Sequence, residues 1–388
     1  MKVLIDVAGF VNRGDQLMFC AIVEAVRKRL PNADLVIPAN LFKSPALHKL
    51  CPTYSFQELA DCRRFSRKCR YAFRWLLSCL KVCNTPVWPW QVDVVLHSPG
   101  FRYSDSFPLR HERSLRKEVQ YFRMFSKKGR RIFFLPQAFG PFATKGAQRR
   151  MSAIRPYADW IYARDATSFT YLQKLTPPIG GNVSIAPDFT CGCSECLPVG
   201  FSLKRYGVIV PNGKMITHTT LGSSAYLNFL CLVASLFYKN GLSVTLLNHE
   251  GEDDKKIIEL LRNRVPIPVE CLNDVTGLEC KGIIGGASIV LTSRFHGAVS
   301  GFCQGVSTLC TGWSHKYREL AERFGCPNNC LDVSNADKAL AIVADALNHP
   351  CQYAADQSHI SDVISETSKM WDSIFAMISE EHSDESNP

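Results

Sequence analysis

Short apolar, β-branched runs alternate along the whole chain with longer stretches whose apolar residues recur at helical spacing. That alternation predicts parallel sheets whose strands are joined by crossover helices. "KVLIDVAG", "DLVIPA", "VDVVLHS", "RRIFFLPQ", "DWIYAR" and "NVSIAPD" read as strands of a first domain, and "YGVIVPN", "LSVTLLNH", "SIVLTS" and "VSTLCTG" as strands of a second. The expected division is a first Rossmann-like domain over residues 1–195, a second over 200–348, and a helix with an acidic tail over 349–388. A Cys- and Pro-containing stretch from about 190 to 204 joins the two. Two doubly wound α/β domains facing a cleft make a GT-B-like architecture, with ligands expected beyond the carboxyl ends of the strands.

A chain of 388 residues with 46% hydrophobic and 21% charged residues has the size and composition of a soluble protein with two cores. Leu221 to Tyr238 carries no charge and approaches spanning length. Ser and Asn dilute it and a strand-like run follows, so a buried helix is expected there. No basic-then-apolar leader precedes "MKVLIDVAG", and a cytoplasmic location is the expectation. The 17 cysteines are scattered rather than spaced as a framework and are read as reduced. "CGCSEC" (Cys191, Cys193, Cys196) lacks a fourth ligand nearby and reads as a linker rather than a zinc site.

The net charge of +10 points to anionic partners without choosing among them. Residues 62–90 concentrate Arg63, Arg64, Arg67, Lys68, Arg70, Arg74 and Lys81 among aromatic side chains. Two readings stand for this segment: peripheral contact with an anionic membrane, or a helix with a solvated basic face. It matches no nucleic-acid-binding module, so a nucleic-acid partner is not expected.

The candidate chemistry lies at strand ends. Arg294 and His296 fall where "SIVLTS" gives way to a helix expected to begin near Gly297. Burying that guanidinium is costly unless a carboxylate of the protein or an anionic ligand meets it. Residues two apart in an extended segment share a side. Gly297 would admit a ligand to the backbone, and the helix N-terminus adds donors, so the place reads as an anion site with a titratable group beside it. Arg164 sits at the tip of "DWIYAR", where a salt bridge with Asp165 or Asp188 competes with ligand binding. In "AGFVNRGDQL", Asn12, Gly14 and Asp15 occupy a turn without the glycine spacing of a dinucleotide fingerprint. Asp15 either caps the following helix or orients an acceptor hydroxyl. Weaker signals are Gln137 in "LPQAFGPF", Asp105 in "SPGFRYSD", Asp188 in "APDF", His249 and Asp253 in "LLNHEGEDD", and Lys316 in "GWSHKY".

Taken in order, "NRGDQL", "LPQAFGPF", "YARDATSFTYL", "APDF", "NHEGEDD", "SRFHGAVSGFCQGV" and "HKY" resemble the polysaccharide pyruvyl transferase family, from near residue 1 to about residue 320. "SPGFRYSD" departs from it where the family carries a richer glycine run. The resemblance implies a GT-B-like fold and transfer of pyruvate from phosphoenolpyruvate to two hydroxyls of one sugar, giving a cyclic ketal. It assigns Arg164, Arg294 and His296 to the donor. Gly297 and Lys316 are expected beside the donor, His296 and Asp15 as acid and base, and Asn12, Gly14, Gln137 and Asp105 toward a glycan or lipid-linked glycan acceptor. No metal or cofactor is called for beyond phosphoenolpyruvate as co-substrate. The rival readings are a nucleotide-sugar-dependent glycosyltransferase and a non-catalytic sugar-binding module, because fold alone does not select the donor.

Overall fold

The computed structural model describes residues 1–60, 72, 75, 86–109, 111–126, 130–175, 181–202, 205–312 and 314–384. Most of the basic segment 62–90 therefore lies outside the described residues.

The first sheet is built from β1 (Lys2–Val7), β2 (Asp34–Pro38), β3 (Gln57–Leu59), β4 (Val94–Ser98), β5 (Arg131–Gln137), β6 (Trp160–Ala163) and β7 (Val183–Ile185). All pairs are parallel, in the order β3-β2-β1-β4-β5-β6-β7. The second contains β8 (Tyr206–Val210), β9 (Ser243–Leu247), β10 (Val269–Leu272), β11 (Ile289–Thr292), β12 (Thr308–Thr311) and β13 (Cys330–Leu331), in the order β10-β9-β8-β11-β12-β13. Both are doubly wound, and the order reverses between β1 and β4 in one and between β8 and β11 in the other.

All ten strands expected from the sequence are present. The three that were not expected, β3, β10 and β13, are edge strands of two to four residues. Central strands such as β4 and β8 are buried throughout and so read as continuous apolar runs. β10, half-buried with Glu270 exposed, does not.

Contacts divide the chain into two units. The first comprises Met1–Phe10, Met18–Phe189 and Glu366–Pro388; the second comprises Val11–Leu17 and Thr190–Ser365. In the first, Phe122, Phe125, Phe134, Phe139 and Met151 pack around β4 and β5. In the second, the helix Ser223–Lys239 buries Tyr226, Leu230, Val233 and Phe237 against β8 and β9. The uncharged stretch is thus a core helix, and among the described residues no helix is long and apolar enough to cross a membrane.

The cysteine-rich stretch opens the second unit. The backbone carbonyls of Thr190 (3.1 Å), Cys191 (3.2 Å) and Cys193 accept hydrogen bonds from the buried Lys281 ammonium. The three thiols of Cys191, Cys193 and Cys196 do not gather around one point close enough to share a metal. The loop's visible task is to satisfy a buried charge with carbonyl dipoles.

Candidate active site

The second unit answers the question posed by Arg294. Its Nε donates to Asp254 Oδ2 at 2.9 Å, Nη2 reaches Asp254 Oδ1, and Nη1 pairs with Glu250. The protein itself supplies the carboxylates. Asp254 is fully buried, whereas the Glu250 side chain retains 34% exposure. Burial pushes the Asp254 carboxyl up to about 8 and the Arg294 guanidinium down to about 10. Each charge is tolerated only because the other meets it.

Asp254 was missed in the sequence in favour of its neighbour Asp253. The helix Gly251–Arg264 buries Asp254, Ile257, Ile258 and Leu261, a single stripe at i, i+3, i+4 and i+7. An acid at the head of an apolar stripe was the available signal.

Arg294, two residues beyond the end of β11, is the N-cap of the helix Phe295–Phe302, which starts two residues earlier than expected. Gly297 is accordingly the third helical residue, and a Cβ there would lie 2.4 Å from Thr292 Oγ1. Its small size admits that packing. Thr292 Oγ1 in turn accepts from the Arg294 backbone N–H at 3.0 Å. At the carboxyl ends of β8 and β11, Asn212 Nδ2 donates to the Ser293 carbonyl at 2.8 Å, and the Tyr317 hydroxyl donates to the same carbonyl at 2.9 Å. Tyr226 and Thr311 hydroxyls contact Ser293 Oγ at 2.7 and 2.6 Å. This lattice fixes the backbone from which Arg294 and His296 project.

The segment Val11–Leu17 docks on the same end of the sheet. Asn12 forms an isolated antiparallel bridge with Glu250, and the Arg13 N–H donates to the His249 carbonyl at 2.9 Å. Gln16 Oε1 accepts from Gly277 N–H at 2.7 Å. Asn12 Oδ1 accepts from Gly14 N–H at 2.7 Å, so Asn12 caps the helix Arg13–Arg29 and Asp15 falls in its first turn. Half-buried Asp15 loses enough water for its carboxyl to be pushed up to about 7. Gly14 lies against the imidazole of His296: a Cβ there would sit 2.1 Å from Nδ1. Of the residues proposed from sequence, Asn12, Gly14, Arg294 and His296 are therefore brought together.

His249, quoted above only as a weak signal, is 1% exposed, and neither ring nitrogen has a hydrogen-bond partner among the described residues. Burial, then the charges of Arg294, His296 and Arg13, hold its pKa well below the ordinary value, so the ring stays neutral. Lys316 is buried with its ammonium 5.4 Å from the Phe295 ring centroid and 5.5 Å from that of Tyr317.

The remaining proposed residues belong to the first unit. Arg164 Nη1 pairs with Asp188 at 3.0 Å, both buried, while Asp165 caps the helix Ala166–Gln173 by accepting from Ser168 N–H at 2.6 Å. Gln137 is fully buried at the end of β5. Asp105 accepts from Ala143 N–H (3.0 Å), Thr144 N–H (2.9 Å) and Thr144 Oγ1 (2.7 Å), which ties down the loop before the helix Lys145–Ile154; burial works against its charge, but these hydrogen bonds together outweigh it and hold the carboxyl below the usual range.

A model of the polysaccharide pyruvyl transferase family matches residues 12–315. The chain belongs to that family. The matched span contains the Asn12–Gly14 turn, Arg164, and the Arg294–His296 segment, and ends one residue before Lys316. None of the curated proteins compared matches the sequence significantly. Among solved structures, this pyruvyl transferase family member is similar to UDP-GlcNAc 2-epimerase from Neisseria meningitidis bound to UDP-GlcNAc, with a TM-score of 0.61, 10% identity, and coverage of 97% of this chain and 100% of that one. A putative UDP-N-acetylglucosamine 2-epimerase from Listeria monocytogenes gives 0.62 at 8% identity, covering 98% and 97%. The enzyme from Methanocaldococcus jannaschii gives 0.54 at 11% identity, covering 89% and 93%. At these identities the likeness establishes the two-domain GT-B-like fold alone.

Proposed function

We propose that this member of the family transfers pyruvate from phosphoenolpyruvate to two hydroxyls of one sugar in a glycan or lipid-linked glycan, releasing phosphate. The observation that carries the reading is the packing of the His296 imidazole on Gly14, two residues from a buried Arg294, at the point where the second sheet reverses its strand order. Open α/β sheets bind ligands there.

The donor carries a phosphate and a carboxylate, which suits a guanidinium with forked donors. Glu250 occupies one side of that fork. Being partly exposed, it is the carboxylate an incoming anion can displace, while buried Asp254 keeps the guanidinium oriented. His296 delivers a proton to the methylene carbon, generating an oxocarbenium-like centre at the adjacent carbon. One sugar hydroxyl attacks it and returns its proton to His296. The C–O bond to phosphate then breaks, the phosphate leaves with the proton of the second hydroxyl, and that second oxygen closes the ketal. Charge on the departing phosphate is met by Arg294 and the N-terminus of the helix Phe295–Phe302.

The test is incubation with phosphoenolpyruvate and a panel of free and lipid-linked glycans, followed by phosphate release and mass measurement of the glycan. His296→Ala is expected to lose turnover by at least about 100-fold while still being stabilised thermally by phosphoenolpyruvate. Stabilisation by sugar nucleotides but not by phosphoenolpyruvate would overturn the reading, and a fully active His296→Ala would remove the histidine from the mechanism.

A further inference from the structure

The first sheet reverses its order between β1 and β4, and a cavity of about 490 Å³ opens at the carboxyl ends of those strands. Its volume falls in the range of small-molecule sites. All of its lining belongs to the first unit. Asp6 and His97, directly paired in the β1–β4 register, form its polar floor. Nδ1 of His97 contacts Asp6 Oδ2 at 2.7 Å and Nε2 contacts the buried Tyr103 hydroxyl at 2.8 Å. Whether the ring is neutral or protonated, Nδ1 donates to Asp6. Burial works against the Asp6 charge, but His97, Arg102 and the Tyr121 hydroxyl outweigh it and hold the carboxyl below its usual range.

Four charges face this space: Asp6 and Glu118 against Arg102 and Lys117. Their sum is zero, which disfavours a multiply charged anion, and an ionised carboxylate on the floor disfavours a wholly apolar ligand. A hydroxyl is the group that both donates to a carboxylate and accepts from a cation, and Tyr121 offers an aromatic surface beside them. We propose that this cavity binds a pyranose unit of the acceptor glycan, with Asp6 accepting hydrogen bonds from sugar hydroxyls and His97 acting as the positioning residue that orients Asp6. The inference deepens the function proposed above by assigning the acceptor its site.

The test uses the full chain and simple methyl glycosides (galactoside, glucoside and mannoside) in saturation-transfer difference NMR, which needs no turnover. At least one glycoside is expected to bind the unmodified protein. Asp6→Asn should weaken that binding by about 10-fold or more, and Ala39→Trp, which fills the cavity from its rim, should abolish it. Both variants should retain the thermal shift caused by phosphoenolpyruvate. Glycoside signals that survive Ala39→Trp, no signal with any glycoside, or displacement of a bound glycoside by inorganic phosphate at this site would each overturn the proposal. Glycoside binding in a protein that does not turn over phosphoenolpyruvate would defeat the proposed reaction and leave the sugar site standing.

Discussion

The two sheets share a strand order around their reversal points, yet the chemistry at those points is opposite. At β8/β11 a guanidinium is clamped by carboxylates and flanked by two histidines and Arg13. At β1/β4 an imidazole stands behind a carboxylate in a space where the charges cancel. Topology thus fixes where a ligand is received, and two or three side chains per sheet decide its charge.

That contrast is broken most forcefully through Arg294. Arg294→Met takes the guanidinium away from Asp254 and Glu250 and is expected to destabilise the protein by about 3–5 kcal/mol. Adding Asp254→Leu should restore a large part of the loss, because an apolar pair replaces a half-broken ionic one. Urea unfolding of the single and double variants measures this. If Arg294→Met alone were neutral, the carboxylate clamp would have no energetic meaning.

A smaller effect in stability, but a specific one in activity, is expected at Gly14. A methyl group there would displace the His296 ring, so Gly14→Ala should lower turnover by roughly 100-fold, the scale of a misplaced catalytic group. Its unfolding midpoint should move far less than that of Arg294→Met. Steady-state phosphate release against urea midpoint separates the two; equal losses in both would mean that Gly14 serves the fold rather than the imidazole.

The mildest probe is pH, and it sharpens the comparison because the two ends respond with opposite sign. Asp15, pushed up to about 7 from an unfolded value near 3.9, keeps a proton in the folded state that the unfolded chain has released. Stability therefore falls as pH rises from about 4 through about 7. Asp6 is lowered, so its contribution is present above the unfolded value and disappears as pH falls through the folded one. Asp15→Asn should flatten the decline between pH 4 and 7 by about 1–2 kcal/mol and leave the Asp6-dependent acid limb alone; Asp6→Asn should do the reverse. Chemical denaturation across pH reads both, and identical profiles for the two variants would erase the distinction.

Much of this was legible in the sequence, and what was not has a physical reason. The interior strands declared themselves because both faces are buried, and the edge strand β7 through its β-branched Val183 and Ile185; β3, β10 and β13 did not, because they are short edge strands of mixed residues with few neighbours. Arg294 and His296 were found as polar residues between two buried runs, but the acid that meets the guanidinium arrives from a helix about 40 positions earlier, a distance no local pattern encodes. Asp6 and His97 went unremarked inside "KVLIDV" and "VDVVLHS", although each is a lone polar residue near the end of an otherwise apolar strand. Only the register, which sets them side by side, shows that they belong together.

The backbone changes unit at residues 10/11, 17/18, 189/190 and 365/366. A fragment ending near residue 189 would carry Val11–Leu17 without the Glu250 edge it bridges, and would lack the last stretch of its own unit; the complementary fragment would lose the turn that rests on His296. Dissection into halves by a single break is therefore closed to this protein, and any attempt to graft one half onto a foreign partner must carry the seven-residue insertion along with it.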